Sequence, residues 1–310
     1  MSLTMTLPIH IPALLQETIE GLNVQPGRHY IDCTLGTGGH ATAILERSTP
    51  NGRLLGIDTD PEAIEISMAR LSSFGDRAIL VNDNFTNLET ICHQHGFIPA
   101  NGILLDLGIS SPQLDTAERG FSFQQNATLD MRFNPEQELT AADIVNILPE
   151  DQLRHLIQNY GEEHYSRQIA SYIVRSRPLK TTLELARLIE QVVGRRGRIH
   201  PATRTFMALR IAVNRELENL DSAMKQAINC LKPQGRLAVI SYHSLEDRIV
   251  KEFIKRESTQ CLCHPKTPTC HCGHMATLKP ISKKVIRPSQ IEIESNPRSR
   301  SAKLRIAEHL

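Results

Sequence analysis

The chain has 310 residues, of which 40% are hydrophobic and 22% charged, and its formal net charge is +1. These values are ordinary for a globular protein, and the length fits one large or two smaller domains. The apolar runs are too short for a transmembrane helix, and the first residues lack the basic region of a secretory signal. Seven cysteines, an odd number, favour a reducing compartment over a disulfide framework, so the expected location is the cytoplasm.

The charges are strongly segregated along the chain. Residues 1–99 carry 11 acidic and 5 basic side chains, and residues 100–166 carry 11 acidic and 3 basic ones. The balance inverts over residues 167–215, with 11 basic and 2 acidic side chains, and residues 279–310 hold 8 basic and 3 acidic ones. One basic run would usually be a solvated surface, but two separate runs favour a polyanionic partner such as nucleic acid.

A glycine-rich loop follows the first predicted strand, which ends at Asp32. Gly36, Gly38 and Gly39 allow a sharp turn and a close approach of the backbone to a ligand, and the next helix would point its free N–H groups at the loop. The spacing Gly36-x-Gly38-x-x-Ala41 also fits the dinucleotide fingerprint. An NAD-dependent oxidoreductase is therefore one alternative.

Acidic residues end four successive predicted strands, at Asp32, Asp58, Asp83 and Asp106. In an open α/β sheet the carboxyl ends of the strands line one crevice. A pyrophosphate would be repelled there, whereas the sulfonium, amine and ribose hydroxyls of S-adenosylmethionine would be attracted. The crevice therefore favours S-adenosylmethionine over NAD.

The order of predicted elements indicates a parallel, doubly wound α/β sheet with a helical insertion. Strands and helices alternate as far as Asp106, and the stretch from Asp115 to Pro201 shows helical periodicities without a strong strand signal. A single long helix is predicted from Thr205 to about Cys230. Three further strands are predicted over 236–241, 282–286 and 301–307. The predicted domains are a core formed by 1–114 and 205–310, and an insertion over 115–204.

The insertion begins with phenylalanines beside arginines, in Arg119-Gly120-Phe121-Ser122-Phe123 and Met131-Arg132-Phe133. Exposed phenylalanine beside arginine is suited to stacking a splayed base. The alternative is that these rings anchor the insertion.

With these motifs, the sequence closely resembles the RsmH (MraW) family of bacterial 16S rRNA cytidine methyltransferases. The resemblance covers essentially the whole chain, and its specific blocks are Gly38 to His40, Asp106 to Asp115, Arg119 to Phe123, His200 to Phe206 and Ser241 to Arg248. It implies a class I (Rossmann-like) methyltransferase sheet with an inserted helical domain. It also implies S-adenosylmethionine-dependent methylation of the exocyclic N4 amine of a decoding-centre cytidine. The implied partner is 16S rRNA within the small ribosomal subunit, with no membrane association, and a homodimer is one option.

Carried over by position, the resemblance implies cofactor contacts at Gly38, Gly39, His40, Asp58, Phe85, Asp106 and Gln113. The amine of cytosine is a poor nucleophile, so an oxygen must polarise its N–H. The candidates are Asp106 and the loop near Ser111, and His243 is a candidate for contact with the base or a phosphate. The arginines expected to bind RNA are Arg119, Arg195, Arg196, Arg198 and Arg204. A non-catalytic RNA-binding assembly factor with the same fold is a further alternative.

Two Cys-x-Cys pairs, Cys261 with Cys263 and Cys270 with Cys272, could together hold one zinc ion. A one-residue gap is tighter than the usual spacing of zinc ligands, and the resemblance implies no metal. The sequence therefore favours a reduced loop without a metal.

Overall fold

The computed structural model describes residues 11–195, 199–264, 269–282 and 284–310. The chain divides into two compact units, of which the first contains the residues through Gly108 and those from Asn219, and the second contains Ile109–Glu218. Among the described residues, no helix is both long and apolar enough to cross a membrane.

The elements below are those of the described residues. The strands are β1 (His29–Asp32), β2 (Arg53–Asp58), β3 (Ala78–Asn82), β4 (Ala100–Asp106), β5 (Leu231–Ser241), β6 (Leu278–Pro280) and β7 (Lys303–His309). The α-helices are α1 (Leu15–Gly21), α2 (Gly39–Arg47), α3 (Pro61–Leu71), α4 (Leu88–His95), α5 (Ser111–Asp115), α6 (Ala141–Ile147), α7 (Glu150–Gly161), α8 (Ser166–Arg175), α9 (Thr182–Val193), α10 (Thr203–Asn214), α11 (Glu216–Cys230), α12 (Ser244–Glu257) and α13 (Gln290–Ser295).

The first unit is built on one sheet with the strand order β3-β2-β1-β4-β5-β7-β6. The strands from β3 to β5 pair in parallel, and β7 is antiparallel to both of its neighbours. Alternate residues of β1 and β2 belong to different apolar clusters. Ile31 and Leu55 lie in one cluster, and Tyr30 and Leu54 lie in another. Side chains of a strand alternate between the two faces, so the parallel sheet is covered by apolar packing on both sides.

The second unit is helical and has its own apolar core, which contains Leu153, Ile157, Ile169 and Leu185. Helices α6 and α9 each begin with a reciprocal capping box, from Thr140 with Asp143 and from Thr181 with Glu184. These boxes satisfy backbone donors that the first helical turn leaves free. The prediction that the insertion is helical is therefore confirmed.

The predicted helix from Thr205 to Cys230 is wrong, because the structure contains two helices, α10 and α11. Arg215 lies between them with a left-handed φ of 50°. Within the second unit, the buried Asn214 donates to the carbonyls of Met131 and Arg210, and Arg210 forms a paired contact with Glu216 at 2.7 and 2.9 Å. These contacts stabilise the break, and they place α10 in the helical unit.

Three other differences concern short elements and boundaries. The unit boundaries lie at 108/109 and 218/219 rather than at the predicted 114/115 and 204/205. Near the C-terminus, β6 precedes the strand predicted over 282–286, where Ile286 forms only an isolated bridge to Leu304. Helices α5 and α13 have only 5 and 6 residues, too short to give a clear periodicity.

Candidate active site

The sheet register brings the acidic strand ends of the first unit to one edge. Asp32 is paired with Leu104, two residues before Asp106, and Asp58 is paired with Asn82, next to Asp83. The predicted crevice at the carboxyl ends of the strands is therefore present.

The glycine loop is held in place by two side chains, of which Asp58 was predicted as a cofactor contact and Ser67 was not identified from the sequence. The Gly36 N–H donates to Asp58 Oδ2 at 2.7 Å, and the Ser67 hydroxyl donates to the Gly36 carbonyl at 2.8 Å. Gly38 adopts a φ of 76°, and a Cβ there would lie 3.1 Å from Ser67 Oγ. A Cβ on Gly39 would lie 2.4 Å from Pro12 Cγ, so a side chain at either position would displace the loop.

Two carboxyl groups in the crevice have strongly shifted pKa values. Burial raises the pKa of Asp32 to about 7, and the nearby carboxylates Asp106 and Asp58 push it in the same direction. Burial also raises the pKa of Asp58 to about 6, although the backbone N–H groups of Gly36 and Asp60 donate to its two oxygens. A cationic ligand would favour the ionised forms of these buried carboxyls, so the crevice is suited to such a ligand.

Asp106 lies at the centre of a hydrogen-bonded group at the end of β4. Its Oδ1 accepts a hydrogen bond from the Tyr242 hydroxyl at 2.9 Å, and its backbone N–H donates to Thr34 Oγ1 at 2.6 Å. Its Oδ2 lies 3.4 Å from His40 Nε2. Burial, with a contribution from Asp106, raises the pKa of Tyr242 well above its ordinary value, so this phenol remains a hydrogen-bond donor.

His40 is 5% exposed; its Nε2 lies 3.4 Å from Asp106 Oδ2, and its Nδ1 has no hydrogen-bond partner within the described residues. A buried unpaired nitrogen is costly, which is consistent with a ligand that completes its contacts. The loop glycines, His40 and the acidic strand ends therefore fit the cationic and hydroxyl-bearing parts of S-adenosylmethionine.

His243 occupies a structural position at the start of α12. Its Nδ1 accepts from the Glu246 N–H, and Glu246 Oε2 accepts from the Tyr242 N–H at 2.8 Å. Glu246 Oε2 also accepts from the His243 N–H at 3.3 Å, which completes a capping box, and the added bond from Tyr242 holds that backbone next to the helix start. Contact of His243 with the base or a phosphate stays a prediction, whereas Tyr242, which directly precedes it, was missed.

The two other residues predicted to contact the cofactor, Phe85 and Gln113, lie in different units of the chain. Phe85 follows β3 and packs partly buried against the core of the first unit. Gln113 belongs to the second unit, where it forms a capping box with Ser110 at the start of α5. Its contact with the cofactor stays a prediction. Ser111 is the first residue of α5, and its side chain lies outside the described part of the structure.

The aromatic and arginine residues of the second unit have structural contacts. Phe121 is 7% exposed and stacks on Phe133 with ring centroids 5.5 Å apart, while Phe123 lies edge-on to Phe206 at 4.9 Å. Phe121 therefore belongs to the core of the helical unit, so the prediction of an exposed ring is wrong there, while Phe123 and Phe133 pack partly buried against that core. Sequence alone could not separate the two interpretations, since an arginine neighbour is common to both.

The predicted RNA-binding arginines are only partly described. Arg119 donates to the carbonyls of Arg132 and Phe133, and Arg204 donates to the carbonyl of Glu162. Arg195 forms an ion pair with Glu190. Arg196 and Arg198 lie outside the described residues. RNA binding by these residues stays a prediction.

The strand order, with β7 antiparallel between β5 and β6, and the acidic crevice beside a glycine loop define a class I methyltransferase that uses S-adenosylmethionine. The family model described as the MraW methylase family matches residues 8–310, so the chain belongs to this family. The alternative of an NAD-dependent oxidoreductase is therefore wrong.

Several curated relatives are similar to the chain over nearly its whole length, and each carries the name ribosomal RNA small subunit methyltransferase H. The relative from Dehalococcoides mccartyi strain BAV1 is 59% identical over 97% of this chain and 86% of its own length. The relative from Symbiobacterium thermophilum is 48% identical over 96% of this chain and 95% of its own. The relative from Brevibacillus brevis is 47% identical over 97% of this chain and 98% of its own length.

The shifted carboxyls predict opposite pH dependences for the stability of the free protein and for cofactor affinity. The folded pKa values of Asp32 and Asp58, about 7 and about 6, lie above the ordinary value of 3.8. The protonated forms of these two carboxyls therefore stabilise the folded state. This stabilisation is lost as the pH rises from the ordinary pKa through the folded pKa values. A cationic ligand favours the ionised carboxyls, so its affinity should rise over the same range.

Thermal melting with and without S-adenosylmethionine, from about pH 5 to about pH 8, measures both effects. The melting temperature of the free protein should fall with pH, and the shift caused by the cofactor should grow. Asp32→Asn should weaken both trends, while the exposed Asp76→Asn should leave them unchanged. A cofactor-induced shift that does not vary with pH would contradict the assignment.

Proposed function

We propose that this protein methylates the exocyclic N4 amine of a decoding-centre cytidine in 16S rRNA. The Asp106 carboxylate, held by Tyr242 at the end of β4, is the observation that supports this proposal. The names of the curated relatives support small-subunit rRNA as the substrate class. The proposed site of action is the small ribosomal subunit in the cytoplasm.

In this proposal, Asp106 accepts the N–H of the cytosine amine. The lone pair of that amine is delocalised into the ring, and a hydrogen bond from its N–H to a carboxylate makes the nitrogen more nucleophilic. Tyr242 donates to Oδ1, so Oδ2, which also lies 3.4 Å from His40 Nε2, is the oxygen that would face the amine and take its proton as the N–C bond forms. When bound, S-adenosylmethionine supplies an electrophilic methyl group. Asp58 and the glycine loop would hold its ribose and amino-acid parts.

The arginines of residues 167–215 are the proposed contacts for the phosphate backbone. This stretch carries 11 basic and 2 acidic side chains. Of the arginines predicted to bind RNA, Arg195 and Arg204 lie in this stretch and among the described residues. Phosphate contacts supply affinity without reading sequence, so the arginines would hold the RNA while the crevice selects the base.

The proposal predicts N4-methylcytidine as the product. Ring-carbon methylation of cytosine requires a nucleophilic thiolate, and Cys33, the cysteine beside the glycine loop, is buried in the core of the first unit. Small subunits from cells that lack the protein should be incubated with purified enzyme and cofactor, and then digested to nucleosides for mass spectrometry. Both the unmodified protein and Cys33→Ala should yield methylcytidine with its methyl group on the exocyclic nitrogen.

Two outcomes would contradict the proposal. A product methylated on the ring carbon, with a folded but inactive Cys33→Ala variant, would show thiolate chemistry. Absence of methyl transfer to small subunits and to naked RNA, with the cofactor bound, would instead favour the non-catalytic assembly factor.

A further inference from the structure

Four cysteines converge in the segment between α12 and β6. The Sγ atoms of Cys261, Cys263, Cys270 and Cys272 all lie within 4.8 Å of one another. All four residues are at least partly exposed, and none forms a disulfide. This cluster lies outside the crevice, and the proposed reaction does not use it.

Four of the six sulfur–sulfur distances are close to those around a tetrahedral metal ion, and the other two are within 4.8 Å. Sγ of Cys270 lies 3.4 Å from that of Cys261, 3.5 Å from that of Cys272 and 3.9 Å from that of Cys263, and Cys261 lies 3.8 Å from Cys272. With a zinc–sulfur bond of about 2.3 Å, the edges of an ideal tetrahedron are about 3.8 Å. The four thiols therefore already surround a space of the size that zinc requires.

Backbone donors also point at these sulfurs. The N–H groups of Leu262 and His271 donate to the sulfurs of Cys272 and Cys263, each at 3.4 Å, and the Cys263 N–H donates to Cys261 at 3.4 Å. A neutral thiol is a weak acceptor, whereas a metal-bound thiolate carries charge that such donors stabilise. The loop backbone is therefore folded around the sulfurs.

None of the described residues of the surrounding segment, 258–264 and 269–277, is buried. The large apolar side chains Leu262 and Met275 are 46% and 74% exposed. The base of the segment is closed by Thr277, whose N–H donates to the Glu257 carbonyl at 2.8 Å. Beyond Thr277, ordering the described residues of the segment costs conformational entropy that no buried apolar side chain among them offsets. A metal bound by the four sulfurs would supply this stabilisation.

We propose that Cys261, Cys263, Cys270 and Cys272 bind one structural Zn²⁺ ion. A closed set of four thiolates in tetrahedral geometry is typical of structural zinc rather than of a catalytic ion, which keeps an open position. The ion would stabilise the folded conformation of the segment between α12 and β6. The tight Cys-x-Cys spacing by itself favours a loop without a metal. In the structure, however, the two pairs bring all four sulfurs together.

Metal analysis of the full-length protein tests this proposal. Protein purified without chelators should contain about one zinc ion per chain, and the double variant C270S/C272S should lose at least about nine-tenths of it. Cys92→Ala, which removes a buried thiol outside the cluster, should retain the zinc. Cobalt added to metal-free, otherwise unmodified protein should give the visible absorption of tetrahedral cobalt thiolate, a result that does not depend on any variant folding.

The role of the ion is tested by proteolysis. Removing zinc from the unmodified protein should expose the stretch between Glu257 and Thr277 to cleavage, while the far-ultraviolet circular dichroism of the sheet persists. Protein that binds neither zinc nor cobalt after reduction, or that carries disulfides among these four cysteines, would overturn the proposal. Bound iron in place of zinc would overturn the choice of metal.

Discussion

Asp106→Asn is expected to lower kcat by about 10²- to 10³-fold, because the amide keeps the shape of the carboxylate but cannot take a proton. Asp106 Oδ1 is already engaged by Tyr242, and Oδ2 is the oxygen proposed to face the amine. Single-turnover methylation of small subunits, with the cofactor saturating, would measure the chemical step. Calorimetry with the cofactor would show whether binding survives, and an unchanged kcat would remove Asp106 from the proposed mechanism.

Tyr242 acts through Asp106 and is a positioning residue in this scheme. Tyr242→Phe should lower kcat about tenfold while the KM for the subunit changes little, since only the orientation of the carboxylate is affected. Tyr160→Phe is a matched control, because the Tyr160 hydroxyl donates to Glu218 at 3.2 Å within the second unit. If both variants lose the same activity, the effect of Tyr242→Phe is not specific to the crevice.

Asp58→Ala is expected to weaken cofactor binding by about 2–3 kcal/mol, because it removes a charged acceptor placed for the ribose hydroxyls. The structure adds a second reason, since Asp58 Oδ2 accepts from the Gly36 N–H at 2.7 Å and so fixes the glycine loop. A carboxylate has about four lone-pair sites, so each oxygen can accept from a backbone N–H and from a hydroxyl. Titration calorimetry would measure the change.

Asp58→Asn separates the two roles of this side chain. The amide oxygen can still accept one backbone N–H, so the loop should be less disturbed than in Asp58→Ala, but the negative charge is gone. Asp76→Ala removes an exposed carboxylate and should leave cofactor affinity unchanged. An Asp58→Ala protein with unaltered affinity would contradict the assignment of the ribose site.

Local sequence was sufficient for the elements whose patterns are complete within a short stretch. Strand β2 ends at Asp58 as predicted and β3 ends one residue before Asp83, because continuous apolar runs bounded by polar residues are the signature of strands buried on both faces. The glycine loop and the acidic strand ends could also be predicted, because glycine permits the left-handed φ of 76° at Gly38 and parallel strands end at one edge.

Tertiary structure decided the features that depend on residues far apart in sequence. Tyr242 lies 136 positions from Asp106, and the two meet because β5 pairs in parallel with β4, so that both strands end at the same edge. The break at Arg215 likewise depends on Asn214 contacting Met131, 83 positions away. Periodicity reports which face of an element is apolar, but not which partner lies against it. The sequence by itself therefore determined the α/β alternation and the acidic crevice, whereas packing determined which side chain supports Asp106 and where the long helix ends.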